Sequence, residues 1–140
     1  MKIIVDTNII FSALLSKEND SKYFLTSTNH EIFSCNFLFV EIFKHRDKIQ
    51  ELSKLSERDL LLQMDKVLSR INFVNNDAIP TNFYYTAFNL CKNIDENDTP
   101  FIALTLFLNG YFMTGDKVIY NGLQDKDIKL ISLKEAIKIN

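Results

Sequence analysis

Residues 2–14 read KIIVDTNIIFSAL and change from one hydrophobic pattern to another near their middle. Lys2–Val5 is a short run rich in β-branched residues, which is typical of a buried strand. After Asn8 the apolar residues recur at helical spacing, as they do along one face of an amphipathic helix. The pattern therefore predicts a strand that ends at Asp6, a turn over Asp6-Thr7-Asn8 and a helix that follows at once.

The same alternation of short apolar runs and helical segments continues along the chain. Further strands are predicted at Glu31–Cys35, Ile71–Val74, Tyr111–Thr114 and Ile128–Ile131. Helices are predicted between them at Phe37–Leu52, Ser56–Ile71, Asn82–Ile94 and Pro100–Leu108, and a last short helix opens with a Ser132/Glu135 capping box. Strands that alternate with helices favour an α/β domain with a central, mostly parallel sheet, here of about five strands.

The composition is that of an ordinary globular domain. The chain has 140 residues, of which 46% are hydrophobic and 24% charged, with 3 Gly and 2 Pro, so residues 1–140 are predicted to form a single domain. Its formal net charge of −2 excludes a polybasic protein that coats nucleic acid. The two cysteines provide no disulfide framework, and Asp6 interrupts the N-terminal apolar run, unlike an export signal. We expect a cytoplasmic protein without a membrane span.

Four of the 18 acidic residues lie where solvated acids are unusual. Asp6 and Asp116 come directly after predicted strands, Glu41 lies inside an apolar helical run, and Asp98 precedes the helix that starts at Pro100. Each has a structural interpretation as well, because Asp is a common helix N-cap and a lone Glu can be the polar residue of a buried helix face. The carboxyl ends of parallel strands, however, share the edge where ligands bind. The joint pattern predicts a cluster of carboxylates.

A cluster of this kind is costly without a counter-charge, because like charges repel and raise one another's pKa. Oxygen ligands select hard divalent ions, so Mg²⁺ or Mn²⁺ is expected rather than Zn²⁺. Such an ion keeps open positions for water and phosphate oxygens. The pattern therefore indicates attack of a metal-activated water on a phosphodiester.

Four segments stand out together, and they occur along the chain in a fixed order. They are Val5-Asp6-Thr7-Asn8-Ile9-Ile10, Glu41 in its helix, Asn97-Asp98-Thr99-Pro100-Phe101-Ile102-Ala103-Leu104 and Thr114-Gly115-Asp116-Lys117. These segments resemble the motifs of the PIN-domain nucleases, a family that includes the toxins of VapC-type toxin–antitoxin pairs. The resemblance covers essentially the whole chain. It implies a three-layer α/β/α fold and endonucleolytic cleavage of RNA.

The resemblance also assigns roles to individual residues. The four acids match the catalytic residues that bind Mg²⁺ or Mn²⁺ in the family, namely Asp6, Glu41, Asp98 and Asp116. Asn8 matches an Asn that supports the turn of the first acid, and Thr114 matches a Ser or Thr near the last acid. The resemblance further implies RNA as substrate, a small antitoxin protein as partner if the chain is a type II toxin, and a homodimer by analogy.

Several neighbouring residues have more than one interpretation. Asp95 is close enough in sequence to share the metal site, although the position directly before the helix favours Asp98. His45 follows Glu41 by one helical turn and is either an exposed helical residue or a partner of that acid or of a phosphate. Basic residues near the motifs are either solvated or in contact with the RNA backbone, and they are Lys44, Arg46, Lys48 and Lys117.

Other functional classes also place Asp at strand ends. A haloacid-dehalogenase-type phosphatase needs a second Asp two residues after the first, where this chain has Asn8. A receiver domain needs an acidic pair after its first strand, where only Asp6 is present. The remaining alternative is a PIN-like module that binds RNA or protein without cutting it. The presence of all four acids disfavours that alternative, because a protein without catalysis gains nothing from a repulsive cluster.

Overall fold

Four parallel strands form the centre of the molecule. The computed structural model describes residues 1–139. Its strands are β1 (Lys2–Val5), β2 (Glu31–Cys35), β3 (Ile71–Val74) and β4 (Tyr111–Met113), in the spatial order β3-β2-β1-β4. In the centre, Ile4 of β1 pairs with Phe33 of β2 on one side and with Phe112 of β4 on the other. The predicted α/β fold with a mostly parallel sheet is confirmed.

Helices connect these strands throughout residues 1–139. They are α1 (Thr7–Leu14), α2 (Asp20–Ser27), α3 (Phe37–Lys44), α4 (Arg46–Ser53), α5 (Glu57–Leu68), α6 (Thr81–Cys91), α7 (Thr99–Leu108), α8 (Lys117–Leu123) and α9 (Leu133–Lys138). Two short 3-10 turns lie at Asn76–Ala78 and Glu96–Asp98. Within the described residues, none of the helices has the length and apolar character needed to cross a membrane.

Helices cover the sheet on both faces. Ile3, Ile4 and Val5 of β1 are all fully buried, and successive residues of a strand point to opposite faces. Both faces must therefore be shielded from water, as is usual for a parallel sheet. α7 packs against β1, β2 and β4, and α6 packs on α7. α1 packs with α2, α3 and α5.

Two of the helices end and begin where the sequence predicts. α7 has Pro100 in its first turn and ends at Asn109, whose left-handed backbone (φ 51°, ψ 43°) closes the helix. α9 begins with a capping box in which the Ser132 hydroxyl accepts from the Glu135 amide and the Glu135 carboxylate accepts from the Ser132 amide. Local side-chain chemistry is enough to fix both boundaries.

The predicted fifth strand, Ile128–Ile131, is reduced to a single bridge. Leu130 forms an isolated parallel bridge with Phe112 of β4. The Phe112 amide donates to the Lys129 carbonyl at 2.9 Å, and the Ile131 amide donates to the Phe112 carbonyl at 3.1 Å. Ser132 then caps α9 directly, so the chain enters a helix before a second β-bridge can form. The sheet of the described residues has four strands rather than about five.

The predicted helix Phe37–Leu52 is two helices that meet at His45. The His45 backbone leaves the helical region (φ −107°, ψ 15°), and its amide donates to the carbonyls of both Glu41 and Phe43. This turn ends α3, and α4 begins at the next residue, Arg46. α4 then buries Ile49, its one fully enclosed apolar side chain. The helices α2 and α8 were not predicted from the sequence.

Candidate active site

The site begins at Asp6, which follows β1 and is only 1% exposed. Its Oδ1 accepts hydrogen bonds from the Ile9 amide at 3.1 Å and from the Gly115 amide at 3.4 Å. Its Oδ2 accepts from the Thr114 hydroxyl. Burial raises the pKa of Asp6, and these donors act in the opposite direction. Asp6 is thus the N-cap of α1, as one interpretation proposed, and it is also fixed to the end of β4.

Thr114 connects the first acid to the last. Its hydroxyl donates to Asp6 and accepts from the Asp116 amide at 3.0 Å. Asp116 in turn caps α8, with its Oδ1 accepting from the Val118 amide at 2.9 Å. Because β1 and β4 are neighbours in the sheet, one hydroxyl group can connect the Asp6 carboxylate to the backbone of Asp116, although the two acids are far apart in sequence.

The turns after β1 and β4 approach each other closely at Gly115. A Cβ atom added at Gly115 would lie 3.2 Å from Cβ of Asn8. That distance is tighter than ordinary van der Waals contact, so a side chain at this position would push the two turns apart. Asn8 itself lines the cavity between the acids.

Asp98 is placed differently from Asp6 and Asp116. It occupies the N-cap position of α7 but makes no side-chain cap hydrogen bond, so the interpretation of Asp98 as a simple helix cap is wrong. Asp95, three residues earlier, accepts from the Asn97 amide at 3.0 Å and stabilises the turn that presents Asp98. Burial, with added repulsion from Asp6, Asp95 and other nearby acids, raises the pKa of Asp98 to about 7.

Glu41 enters the site from α3, one turn before that helix ends. Its Oε2 lies 3.7 Å from Nε2 of His45. The His45 ring packs edge-on against Phe11 of α1, with ring centroids 5.6 Å apart and an interplanar angle of 79°. His45 therefore lies beside Glu41 at the end of α3, with its side chain partly exposed.

The predicted acids surround one cavity of about 200 Å³ at the carboxyl edge of the sheet. Its lining includes Asp6, Glu41, Asp98 and Asp116, together with Asp95, Asn8 and His45. Thr114 lies behind the cavity wall and acts on it through Asp6 and Asp116. A larger cavity of about 460 Å³ lies beside Lys17, Lys22 and Lys66, and none of the four acids lines it. The chemistry of the acids is therefore concentrated in the smaller cavity.

The predicted RNA-contacting residues lie outside this cavity. The side chains concerned are all exposed, and they are Lys44, Arg46, Lys48 and Lys117. Lys117 is the nearest in sequence, since it follows Asp116 directly at the start of α8. Arg46 lies 3.7 Å from Asp47 in an exposed ion pair.

The cavity acids have almost no positive partners. Within residues 1–139 no Lys or Arg forms an ion pair with any of them, and His45 beside Glu41 is the one basic contact. Among the described residues no three His, Cys, Asp or Glu side chains are close enough together to hold a single metal ion. Like charges repel, which favours separated carboxylates. By its chemistry, a set of carboxylate oxygens without counter-charge suits Mg²⁺ or Mn²⁺.

Sequence reasoning gave no role to several residues that line the cavity. Thr7, Phe11, Asn97 and Phe101 all contribute to its wall. The hydroxyl of Thr7 is buried without a hydrogen-bond partner in the described structure. Thr7, Asn97 and Phe101 lie inside the motif segments, so their position in sequence was the available signal. Phe11 gave none, because an apolar residue in an apolar helix is ordinarily read as core.

Comparison with known proteins identifies the family. The family model of the PIN domain matches residues 4–135 of this chain. The chain belongs to the PIN-domain family. No curated protein matches this PIN domain significantly in sequence.

Two solved structures have folds similar to that of this PIN domain. One is VapBC2 from Rickettsia felis bound to a DNA fragment from the VapBC2 promoter, with a TM-score of 0.66, 18% identity, and coverage of 94% of this chain and 98% of that chain. The other is VapBC-1 from nontypeable Haemophilus influenzae, with a TM-score of 0.62, 19% identity, and coverage of 96% and 99%. At this level of identity the likeness shows a common fold, and the PIN-like fold expected from the motifs is confirmed.

Proposed function

We propose that this PIN domain is a metal-dependent endoribonuclease that hydrolyses RNA phosphodiester bonds. The observation that carries the proposal is the meeting of five carboxylates at one cavity on the carboxyl edge of the sheet, without a Lys or Arg ion pair among the described residues. A divalent cation would offset the repulsion within such a cluster. Membership of the PIN-domain family supports the same function.

The four acids would hold Mg²⁺ or Mn²⁺, and those acids are Asp6, Glu41, Asp98 and Asp116. When bound, the ion would supply an activated water and stabilise the leaving oxygen. Backbone amides and Thr114 orient the Asp6 carboxylate, and the Val118 amide orients that of Asp116. Each carboxylate retains unused lone pairs for a ligand. Asp98 makes no cap hydrogen bond, so its oxygens face the cavity without competition from the helix. Asp95 stabilises the turn that carries Asp98.

Exposed basic side chains near the cavity would guide the RNA backbone towards it. Lys117 is adjacent to Asp116, and the other three candidates lie around the junction of α3 and α4, at Lys44, Arg46 and Lys48. Contacts of this kind orient a phosphodiester without reading its sequence. Their contribution to binding would weaken as salt concentration rises, because phosphate contacts release counterions.

We extend the proposal to a toxin of a type II toxin–antitoxin pair, with a small antitoxin protein as partner. The similarity in fold to chains of two VapBC structures supports this role. Expression of the wild type in bacterial cells should then arrest growth, whereas expression of Asp116→Asn should not. A chain that cleaves RNA in vitro but leaves growth unchanged would instead be a housekeeping nuclease.

The nuclease activity is tested by cleavage of an end-labelled single-stranded RNA with Mn²⁺ and with chelator. Asp116→Asn removes one carboxylate charge while keeping the shape of the side chain, and it should reduce cleavage at least about a hundredfold. Asp125→Asn is the matched control, because Asp125 is exposed in a charged loop away from the cavity, and it should cleave like the wild type. Equal cleavage by Asp116→Asn and wild type would contradict the assignment. Cleavage by neither protein, with Mn²⁺ bound to neither, would favour a binding module.

A further inference from the structure

The backbone of His45 is hydrogen-bonded to both of the helices that flank it. Its amide donates to the Glu41 carbonyl at 3.1 Å at the end of α3, and its carbonyl accepts from the Ile49 amide at 3.0 Å in the first turn of α4. The His45 backbone is therefore hydrogen-bonded to both helices, although its own dihedral angles are not helical. A side chain attached there has a well-defined starting point.

The imidazole ring is also oriented by its neighbours. One edge contacts Phe11 of α1, the helix that Asp6 caps, and Nε2 faces the Glu41 carboxylate. The ring lines the same cavity as both acids. His45 thus joins the helix that follows the first acid to the helix that carries the second.

Glu41 has no other polar partner to orient its carboxylate. Among the described residues no hydrogen bond to its side chain is present, and His45 is the one basic residue paired with it. Asp6 and Asp116, in contrast, are each fixed by backbone amides. A Glu side chain has several rotatable bonds, so ordering it for ligand binding costs conformational entropy. An oriented neighbour that restricts those rotations lowers that cost.

We propose that His45 is a positioning residue that holds the Glu41 carboxylate in its metal-binding orientation. The inference rests on the proposed function, because it assigns Glu41 to the metal site. The contact of 3.7 Å is too long for a hydrogen bond, and both side chains are partly exposed, at 39% and 25%. Such a pair adds little to stability, so its effect is on orientation. Nε2 carries a hydrogen that faces the carboxylate both in the imidazolium form and in one of the two neutral tautomers.

A positioning role differs measurably from direct ligation by His45. Imidazole nitrogen suits transition metals, whereas Mg²⁺ strongly prefers oxygen ligands. Loss of a nitrogen ligand would therefore weaken Mn²⁺ binding much more than Mg²⁺ binding. Loss of a residue that acts only through Glu41 should weaken both ions by the same factor.

The test is calorimetric titration of the full-length protein with Mn²⁺ and, separately, with Mg²⁺. His45→Ala should weaken binding of both ions by the same factor, up to about fivefold for a partly exposed pair of this kind. His45→Gln places an amide nitrogen near the position of Nε2 and should recover much of the affinity. In a Glu41→Ala background, His45→Ala should cause no further loss. His30→Gln is the control for unspecific imidazole binding and should match the wild type.

RNA cleavage by the same proteins separates this inference from the proposed function. His45→Ala should lower kcat with little change in KM, because the phosphate-contacting side chains are intact. Unchanged affinity for both ions, or a loss confined to Mn²⁺, would overturn the positioning role while leaving the nuclease in place. Equal weakening of both ions in a protein that cleaves no RNA would support the positioning role and contradict the nuclease. A wild type that binds neither ion would overturn both.

Discussion

Replacing Asp98 with Asn should stabilise the metal-free protein above neutral pH. Burial, with repulsion from nearby acids, raises the pKa of Asp98 from an ordinary value of 3.8 to about 7. A shift of one pKa unit corresponds to about 1.4 kcal/mol, so a shift of about three units sets a ceiling of about 4 kcal/mol. Asp98 is partly accessible to solvent, which screens its charge, and we therefore expect a gain of about 2 kcal/mol. The substitution removes no cap hydrogen bond, because Asp98 makes none.

The sign of the effect follows from where the proton is held. Between about pH 4 and pH 7 the folded protein retains a proton on Asp98 that the unfolded chain has already lost, so stability falls as pH rises through this interval. Well below pH 3.8 the side chain is protonated in both states, and the wild type and Asp98→Asn should be equally stable. Above pH 7 the folded state carries the full cost of the buried charge, and the variant should be more stable.

Urea denaturation in chelator at pH 4.5 and pH 8 measures the difference. Asp125→Asn serves as the control, since an exposed carboxylate should give no pH-dependent change. Addition of Mn²⁺ at about a hundred times its Kd should stabilise the wild type by about 2.7 kcal/mol and Asp98→Asn by much less. A variant that is less stable than the wild type at pH 8, or a difference that does not grow with pH, would refute the reasoning.

Two further substitutions test how the cavity is built. Thr114→Val should destabilise the protein by about 1–3 kcal/mol and weaken Mn²⁺ binding, because Asp6 loses a donor in a buried position and the Asp116 amide loses its acceptor. Thr114→Ser should restore both the stability, measured by denaturation, and the affinity, measured by calorimetry. Full affinity in Thr114→Val would contradict this expectation. Gly115→Ala should lower kcat for RNA cleavage at least about tenfold, because its Cβ would lie 3.2 Å from Cβ of Asn8 and displace the acid-bearing turns. Unchanged kcat in Gly115→Ala would show that the turns tolerate the displacement.

The parts of the fold that local sequence determines were predictable. β1 and α1 follow from a change of hydrophobic period at Asp6, and α7 follows from Pro100 at its start and Asn109 at its end. Burial of a complete strand follows from an uninterrupted apolar run, which is typical of a parallel sheet.

The parts of the fold that depend on tertiary packing were not predictable. α2 carries Lys22, which is only 2% exposed, and the Lys22 ammonium group donates to the Ser16 and Lys17 carbonyls of the preceding loop. A polar segment that buries a lysine in this way does not show the apolar stripe from which helices are recognised. The bridge at Leu130 likewise depends on the chain entering α9 at once.

The candidate site also has parts that the sequence predicts and parts that depend on tertiary packing. The acids could be selected from sequence because each interrupts an apolar context or follows a strand, and the structure places all four around one cavity. The link from Thr114 to Asp6 spans 108 positions, and no local pattern encodes it. The contact between His45 and Phe11 depends on the packing of α1 against the junction of α3 and α4. Sequence therefore suggested the chemistry of the site, and the structure supplied the contacts that orient it.

The most direct test of the metal-dependent nuclease is recovery of RNA cleavage after removal of metal. The wild-type protein is treated with chelator, freed of it, and assayed on labelled RNA while Mn²⁺ is added back stepwise, with Asp116→Asn alongside. The proposed function predicts no cleavage without the ion, saturable recovery in the wild type and no recovery in Asp116→Asn. Full cleavage in the absence of Mn²⁺, or equal recovery in both proteins, would contradict it.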